Sequence, residues 1–196
     1  MEFVFCVETP RGLNRHVIKR VRWEKPPNGW VKLNTDRAAE GNPGLAGYGG
    51  LIRDDHGNWM AGFARRIETC TSFVAELWGL RDGLTLCNNL NIPSLIVELD
   101  AKAIVDILHN SNYENSTLFP ILDDCRQLMG GFHQVQVKHC YRQANRCADR
   151  LARLGTVHNL NFVCFDSLPK ENRNVLDEDC NGGFSNRICN DLTVSL

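Results

Sequence analysis

The chain has no C-x-x-C pair, no hydrophobic run long enough to span a bilayer, no internal repeat and almost no net charge. Its nine cysteines, at positions 6, 70, 87, 125, 140, 147, 164, 180 and 189, are odd in number and scattered. That spacing argues against a zinc site and against a disulfide framework. Several sit in apolar runs, where a reduced thiol behaves as a small hydrophobe, which fits a reducing compartment. Phe3-Val-Phe-Cys-Val7 is too short for a signal-peptide core. No run approaches the ~18 apolar residues of a membrane span. A soluble intracellular protein of the nucleus or cytoplasm is therefore expected, with no membrane contact. A formal net charge of −1 excludes a strongly basic, sequence-indifferent DNA binder.

What is present describes one domain with tails. At 196 residues, 43% hydrophobic and 23% charged, the chain is long enough to bury a real core. Residues 1–30 are basic on balance and 165–196 acidic, while 138–153 carry Lys138, Arg142, Arg146, Arg150 and Arg153 against Asp149 alone. Residues 1–22 show neither helical nor strand period and read as a poorly ordered lead-in. From Phe165 onward polar residues dominate without period, so 165–196 reads as a disordered tail. The domain is expected at 23–164.

Within it, Trp23 to Trp30 is a turn-rich entry whose tryptophans pack on the domain's edge or stack on nucleic acid. Strands are predicted at Val31–Asp36, Leu45–Arg53 and Trp59–Arg66, with Asp54-Asp-His-Gly57 as the second turn. A helix over 71–90 carries Phe73, Leu77, Leu80, Leu84 and Cys87 at helical spacing, capped by Thr71 or Ser72. Ser94–Leu99 is a short apolar strand suited to burial on both faces. Helices follow at 101–109 and 118–129, then a half-buried strand at Val135–Tyr141 and a last helix at 145–154. The order βββ-α-β-α-α-β-α implies a mixed α/β fold, one mixed sheet with helices on its faces.

Four acidic residues lie at or inside these elements. Asp36 ends a predicted central strand, as a metal ligand or as a turn cap. Glu76 shares a helix face with Gly79 and Gly83, which permit close approach to a sheet. It is either a compensated buried carboxylate or a surface residue near a helix N-terminus. Asp100 joins a buried strand to a helix, as a ligand or an N-cap. Asp149 lies on the inward face of the last helix, or pairs with Arg146 or Arg153 along it.

In this order the chain resembles the ribonuclease H-like family, in particular the plant reverse-transcriptase-like domains of non-LTR retroelements and their free-standing relatives. The matching stretches are Trp30-Val-Lys-Leu-Asn-Thr-Asp36, Gly41-Asn-Pro-Gly44 with Gly49-Gly-Leu-Ile-Arg-Asp54, Ala75-Glu-Leu-Trp-Gly-Leu-Arg-Asp-Gly-Leu84, Ile96-Val-Glu-Leu-Asp100 and Asn145-Arg-Cys-Ala-Asp-Arg-Leu-Ala152. They cover about 23–155. The resemblance implies a five-stranded mixed sheet in order 3-2-1-4-5, flanked by helices. It implies a catalytic and metal-binding tetrad of Asp36, Glu76, Asp100 and Asp149, holding Mg²⁺ or Mn²⁺, two ions about 4 Å apart. The implied activity is endonucleolytic hydrolysis of the RNA strand of RNA–DNA hybrids by a monomer. By family position Asn42 and Ser72 would contact the RNA 2′-hydroxyls; the basic run, Arg142 and Arg146 included, would position backbone phosphates, and Asn145 is a further nucleic-acid candidate. The basic run at 138–153 could equally be a solvated helix face.

Three departures stand out. Arg37 replaces the glycine that usually follows the first aspartate. The loop Arg142-Gln-Ala-Asn145 has no histidine, and His139 reads as structural. Asp123 and Asp124 outnumber Arg126 where relatives carry a basic protrusion. A binding module without turnover and a non-functional retroelement remnant are the alternatives that Arg37 raises.

Overall fold

The computed structural model describes residues 4–7, 16–41, 44–110, 113, 118–157 and 161–190. Its centre is an antiparallel meander of β3 (Val31–Gly41), β4 (Gly44–Arg53) and β5 (Trp59–Cys70). The β4–β5 turn forms because the Asp54 carboxylate accepts hydrogen bonds from the amides of His56 and Asn58. Gly57 closes the turn at φ +88°, where a residue with a Cβ is strained. Helix α1 (Ser72–Asn89) then crosses to β6 (Ser94–Leu99), which lies parallel to β3. After α2 (Lys102–His109) and α3 (Phe119–Met129), β7 (Gln134–His139) adds parallel to β6. Helix α4 (Arg146–Val157) and a three-residue strand β8 (Val163–Phe165) follow.

The main sheet has the order β7-β6-β3-β4-β5-β8. The five expected strands are neighbours in the expected sequence, but among the described residues the sheet has six strands, not five. Val163–Phe165 pairs antiparallel with Gly62–Ala64, and three residues are too few to show a strand period. β3 is also longer than expected and runs five residues past Asp36.

Helix α1 covers one face. Thr71 caps it, its hydroxyl accepting from the Val74 amide at 3.3 Å. Leu77, Leu80, Leu84 and Cys87 are fully buried, each leucine worth about 1.5–3 kcal/mol of burial. Gly79 and Gly83 bring the helix down on Tyr48 and Leu33; a Cβ at Gly83 would lie 2.9 Å from a Leu33 methyl. Helix α4 covers the other face through Cys147, Ala148, Leu151 and Ala152. It sits so low on β4 that a Cβ on Gly49 would meet the Leu151 backbone at 2.6 Å.

Both terminal segments, expected as poorly ordered, carry structure in their described parts. β1 (Val4–Val7), β2 (His16–Val21) and β9 (Ser185–Asn190) form a separate antiparallel sheet in the order β1-β2-β9. Helix α5 (Arg173–Cys180) buries Val175 and Leu176 beside α4. Its Asp179, 4% exposed, pairs with buried Arg53 of β4 at 3.0 Å. Arg53 lies flat on Trp23, 3.5 Å from the ring centroid, and the Trp23 indole donates to Asn34. The polar face of the central strands is thus sealed by one residue from each end of the domain. Composition hid this because two buried apolar residues and a few specific ion pairs, not a sustained apolar pattern, hold the acidic segment.

Candidate metal and nucleic-acid site

Asp36 lies in the middle of β3, opposite Gly49 of β4. On its other side β6 runs parallel, with Thr35 beside Leu99, so Asp100 emerges from β6 level with Asp36. Glu76 descends from the second turn of α1. Carboxylate oxygens of Asp36, Glu76 and Asp100 lie within 4.8 Å of one another, the single such group of possible metal ligands among the described residues. Glu76 is 1% and Asp36 5% exposed. Both oxygens of Glu76 and Oδ2 of Asp36 are buried without a hydrogen-bond partner. Oδ1 of Asp36 accepts from the Arg37 amide at 2.7 Å.

Buried, unpaired carboxylates at this separation resist ionisation. Burial, and then the charge of Asp100, push Asp36 up to about 8. Burial, then Asp36, hold Glu76 well above the usual carboxylate range. Burial also raises Asp100, against the pull of Arg142, Arg37 and His139. A divalent cation is the natural counter-charge for such a donor set, which offers only hard oxygens.

Asp149 is placed differently. It lies in the first turn of α4, and its carboxylate accepts from Arg142 at 3.1 Å and from Arg153 at 2.9 Å. Its charge still reaches Asp36 and Asp100. The structure therefore gathers three of the four expected carboxylates and holds the fourth close by in ion pairs. Of the structural alternatives, the Arg153 pair is realised for Asp149. Asp36 is no turn cap, because its strand continues. Asp100 is no helix cap, because Ala101 occupies that position without a side-chain bond. Glu76 is not on the surface.

The expected nucleic-acid contacts divide. Asn42 lies outside the described residues. Ser72 opens α1 one turn before Glu76. Arg142 is largely exposed. Two expectations are corrected. Asn145 is 1% exposed and donates to the Thr35 carbonyl at 2.8 Å, so it ties α4 to the strand that carries Asp36. Arg146 pairs with Glu178 at 2.7 Å and Asp179 at 3.2 Å, anchoring α5. Elsewhere in the basic run, Arg150 donates to the Glu171 carbonyl and Arg153 holds Asp149. Arg37 sits within β3 opposite Tyr48, away from the left-handed region. A glycine is not needed there for backbone conformation; what the arginine adds is charge, which acts on Glu76 and Asp100.

A mixed sheet in this order, helices on both faces and carboxylates meeting at its central strands define a ribonuclease H-type domain. The Reverse transcriptase-like family model matches residues 34–155, and the chain belongs to that family. It is 37% identical over 166 residues to a protein of Arabidopsis thaliana that bears a ribonuclease H name, covering 85% of this chain and 27% of the relative. It is 30% identical over 124 residues to a bifunctional protein of Mycobacterium tuberculosis, covering 62% of this chain and 34% of that one. The chain thus spans about a quarter to a third of the length of these relatives. The N-terminal RNase H domain of the mycobacterial protein superposes with a TM-score of 0.62 at 29% identity, over 65% of this chain and 93% of that one. RNase H1 of the archaeon Halobacterium salinarum superposes with a TM-score of 0.61 at 25% identity, over 64% and 96%. No helix among the described residues is long and apolar enough to cross a membrane.

Proposed function

We propose that the chain is a divalent-metal-dependent endoribonuclease that hydrolyses the RNA strand of RNA–DNA hybrids. One observation carries the reading: the Asp36, Glu76 and Asp100 oxygens converge within 4.8 Å, with three of them buried and unpartnered. Oxygen donors of this kind suit Mg²⁺ or Mn²⁺. Asp36, Glu76 and Asp100 would hold the metal, with Asp149 completing the set. When bound, such ions supply a nucleophilic water and neutralise charge on the phosphodiester.

The chain's own residues fix and enclose that chemistry. Hydrogen-bonded neighbours on both sides of β3 hold Asp36 still. Helix α1 buries Glu76 and keeps bulk water from its carboxylate. Ser72 and Asn42 are the proposed contacts to the RNA strand, where 2′-hydroxyls distinguish RNA from DNA. Arg142 is the proposed contact to backbone phosphate. The ribonuclease H names of the Arabidopsis relative and of the two superposed structures support this assignment.

The test is a labelled RNA–DNA hybrid incubated with the full chain in Mg²⁺ or Mn²⁺, beside an Asp36→Asn control. Cleavage that falls by several orders of magnitude in the control is the expected result. Equal products from both, or none from well-folded native protein, refutes it. A second reading, hybrid binding without turnover, is favoured by the Arg37 charge beside Glu76 and Asp100. It predicts no cleavage by the native chain and cleavage by Arg37→Gly.

A further inference from the structure

Among the described residues, Oδ2 of Asp36 and both carboxylate oxygens of Glu76 have no hydrogen-bond partner, whereas Asp149 has two arginines. Arg142 Nη2 donates to one of its oxygens at 3.1 Å, and Arg153 Nε to the other at 2.9 Å. Asp149 itself is only 18% exposed, so both cations close over it from the solvent side. The two arginines differ in setting. Arg153 is one turn along the same helix and belongs to Asp149 alone. Arg142 precedes the helix, in the short turn at Arg142–Ala144, and its charge is felt by Asp36 and Asp100 as well. Arg142 therefore pairs with Asp149 directly and acts by charge on Asp36 and Asp100, as a divalent ion would.

We infer that Arg142 is a resident counter-cation of the site, which a divalent ion must displace from Asp149 and which nucleic-acid phosphate draws away. The inference rests on the metal-site reading above. A guanidinium pairs readily with a phosphate, through two parallel hydrogen bonds. Engagement of the backbone by Arg142 leaves Asp149 Oδ1 with only the longer contact from Arg153 Nη2, at 3.4 Å, as substrate arrives. Ion and substrate then favour each other's binding, a coupling that is reciprocal by linkage. Arg142 is a positioning residue in this scheme. It sets when Asp149 is available and touches no reacting atom.

One substitution separates this from a structural role, because it moves two affinities in opposite directions. Mn²⁺ is titrated by calorimetry into the metal-free full chain, without nucleic acid. Hybrid binding is followed separately in EDTA by fluorescence anisotropy. Arg142→Ala is expected to bind Mn²⁺ about two- to fivefold tighter, the scale of one partly exposed charge pair. It is expected to bind hybrid more weakly, with a salt slope lower by about one. Arg142→Lys keeps the charge and stays close to the native Mn²⁺ affinity. Unchanged or weaker Mn²⁺ binding by Arg142→Ala overturns the inference, and weakening of both ligands reduces Arg142 to a structural residue. Asp36→Asn keeps the two readings apart. If it abolishes native Mn²⁺ binding while Arg142→Ala leaves that binding unchanged, the counter-cation role alone falls. If native, Asp36→Asn and Arg142→Ala proteins all fail to bind Mn²⁺, the metal site falls and the inference with it.

Discussion

Removing a charge from the centre of the site should stabilise the metal-free protein, and the size of the effect follows from burial. Asp36 is held at about 8 in the fold, against 3.8 for an ordinary aspartate. A carboxyl whose folded value is raised leaves stability intact below the unfolded value and removes it as pH climbs toward the folded one. Each pH unit in that window costs about 1.4 kcal/mol. From pH 4 to pH 7 the metal-free chain therefore loses up to about 4 kcal/mol through this group alone. Asparagine reproduces the shape of the protonated acid and has no proton to lose as pH rises. Asp36→Asn should consequently gain about 2–4 kcal/mol at pH 7 and nothing at pH 4. For a chain of this size about 2–4 °C accompanies each kcal/mol, so the melting temperature in EDTA should rise by roughly 5–15 °C. Thermal melts of both proteins across pH 4–8 provide the check. A difference that stays flat with pH, or an asparagine protein that melts lower at pH 7, refutes the reasoning.

Three further substitutions probe the frame around the site. Gly49→Ala forces a Cβ to 2.6 Å from the Leu151 backbone; it should cost about 1–3 kcal/mol or more by urea denaturation, and a neutral result would mean α4 packs less closely. Asp179→Ala leaves Arg53 buried with its counter-charge gone and should cost about 3–5 kcal/mol. Replacing both partners with apolar residues of similar volume should recover most of that stability, and failure to recover would show that packing rather than charge is at stake. Asn145→Ala removes the donor to the Thr35 carbonyl and should cost about 1–3 kcal/mol, with Asn145→Asp no better, since a carboxylate cannot donate there.

Much of this is legible in the sequence, for reasons that differ by element. The α1 stripe was readable because Leu77, Leu80, Leu84 and Cys87 repeat at the helical period and all face one sheet. Ser94–Leu99 is readable because burial on both faces favours a mostly apolar run, here broken only by Glu98, which pairs with Lys32. Asp36, Glu76 and Asp100 were separable from their surroundings only through order and element context, since each alone fits a common structural role. What stayed hidden depends on partners distant in sequence. Arg53 and Asp179 are 126 residues apart, and no local pattern announces that pair. The burial of Asn145 follows from how low α4 sits on Gly47 and Gly49. Arg146 belongs to a basic run that suits phosphate, while the acids it pairs with, Glu178 and Asp179, lie in a segment whose composition suggests disorder.

The same geometry explains why the site is both rigid and costly. Its four carboxylates come from β3, α1, the end of β6 and α4, so no local rearrangement of one element can move them apart. α1 is fixed by Gly79 and Gly83 on the sheet. α4 is fixed by the glycines of β4 and by Asn145 on Thr35. The end of β6 is fixed by its parallel pairing with β3. A flexible site would relieve the repulsion by rotating Glu76 outward; here that carboxylate is 1% exposed and has no outward path through α1. The repulsion is therefore retained in the fold, where a counter-cation can discharge it. Arg37 and Arg142 supply part of that charge. They leave Glu76 without a single hydrogen bond, and it is this remaining deficit that a divalent ion would fill.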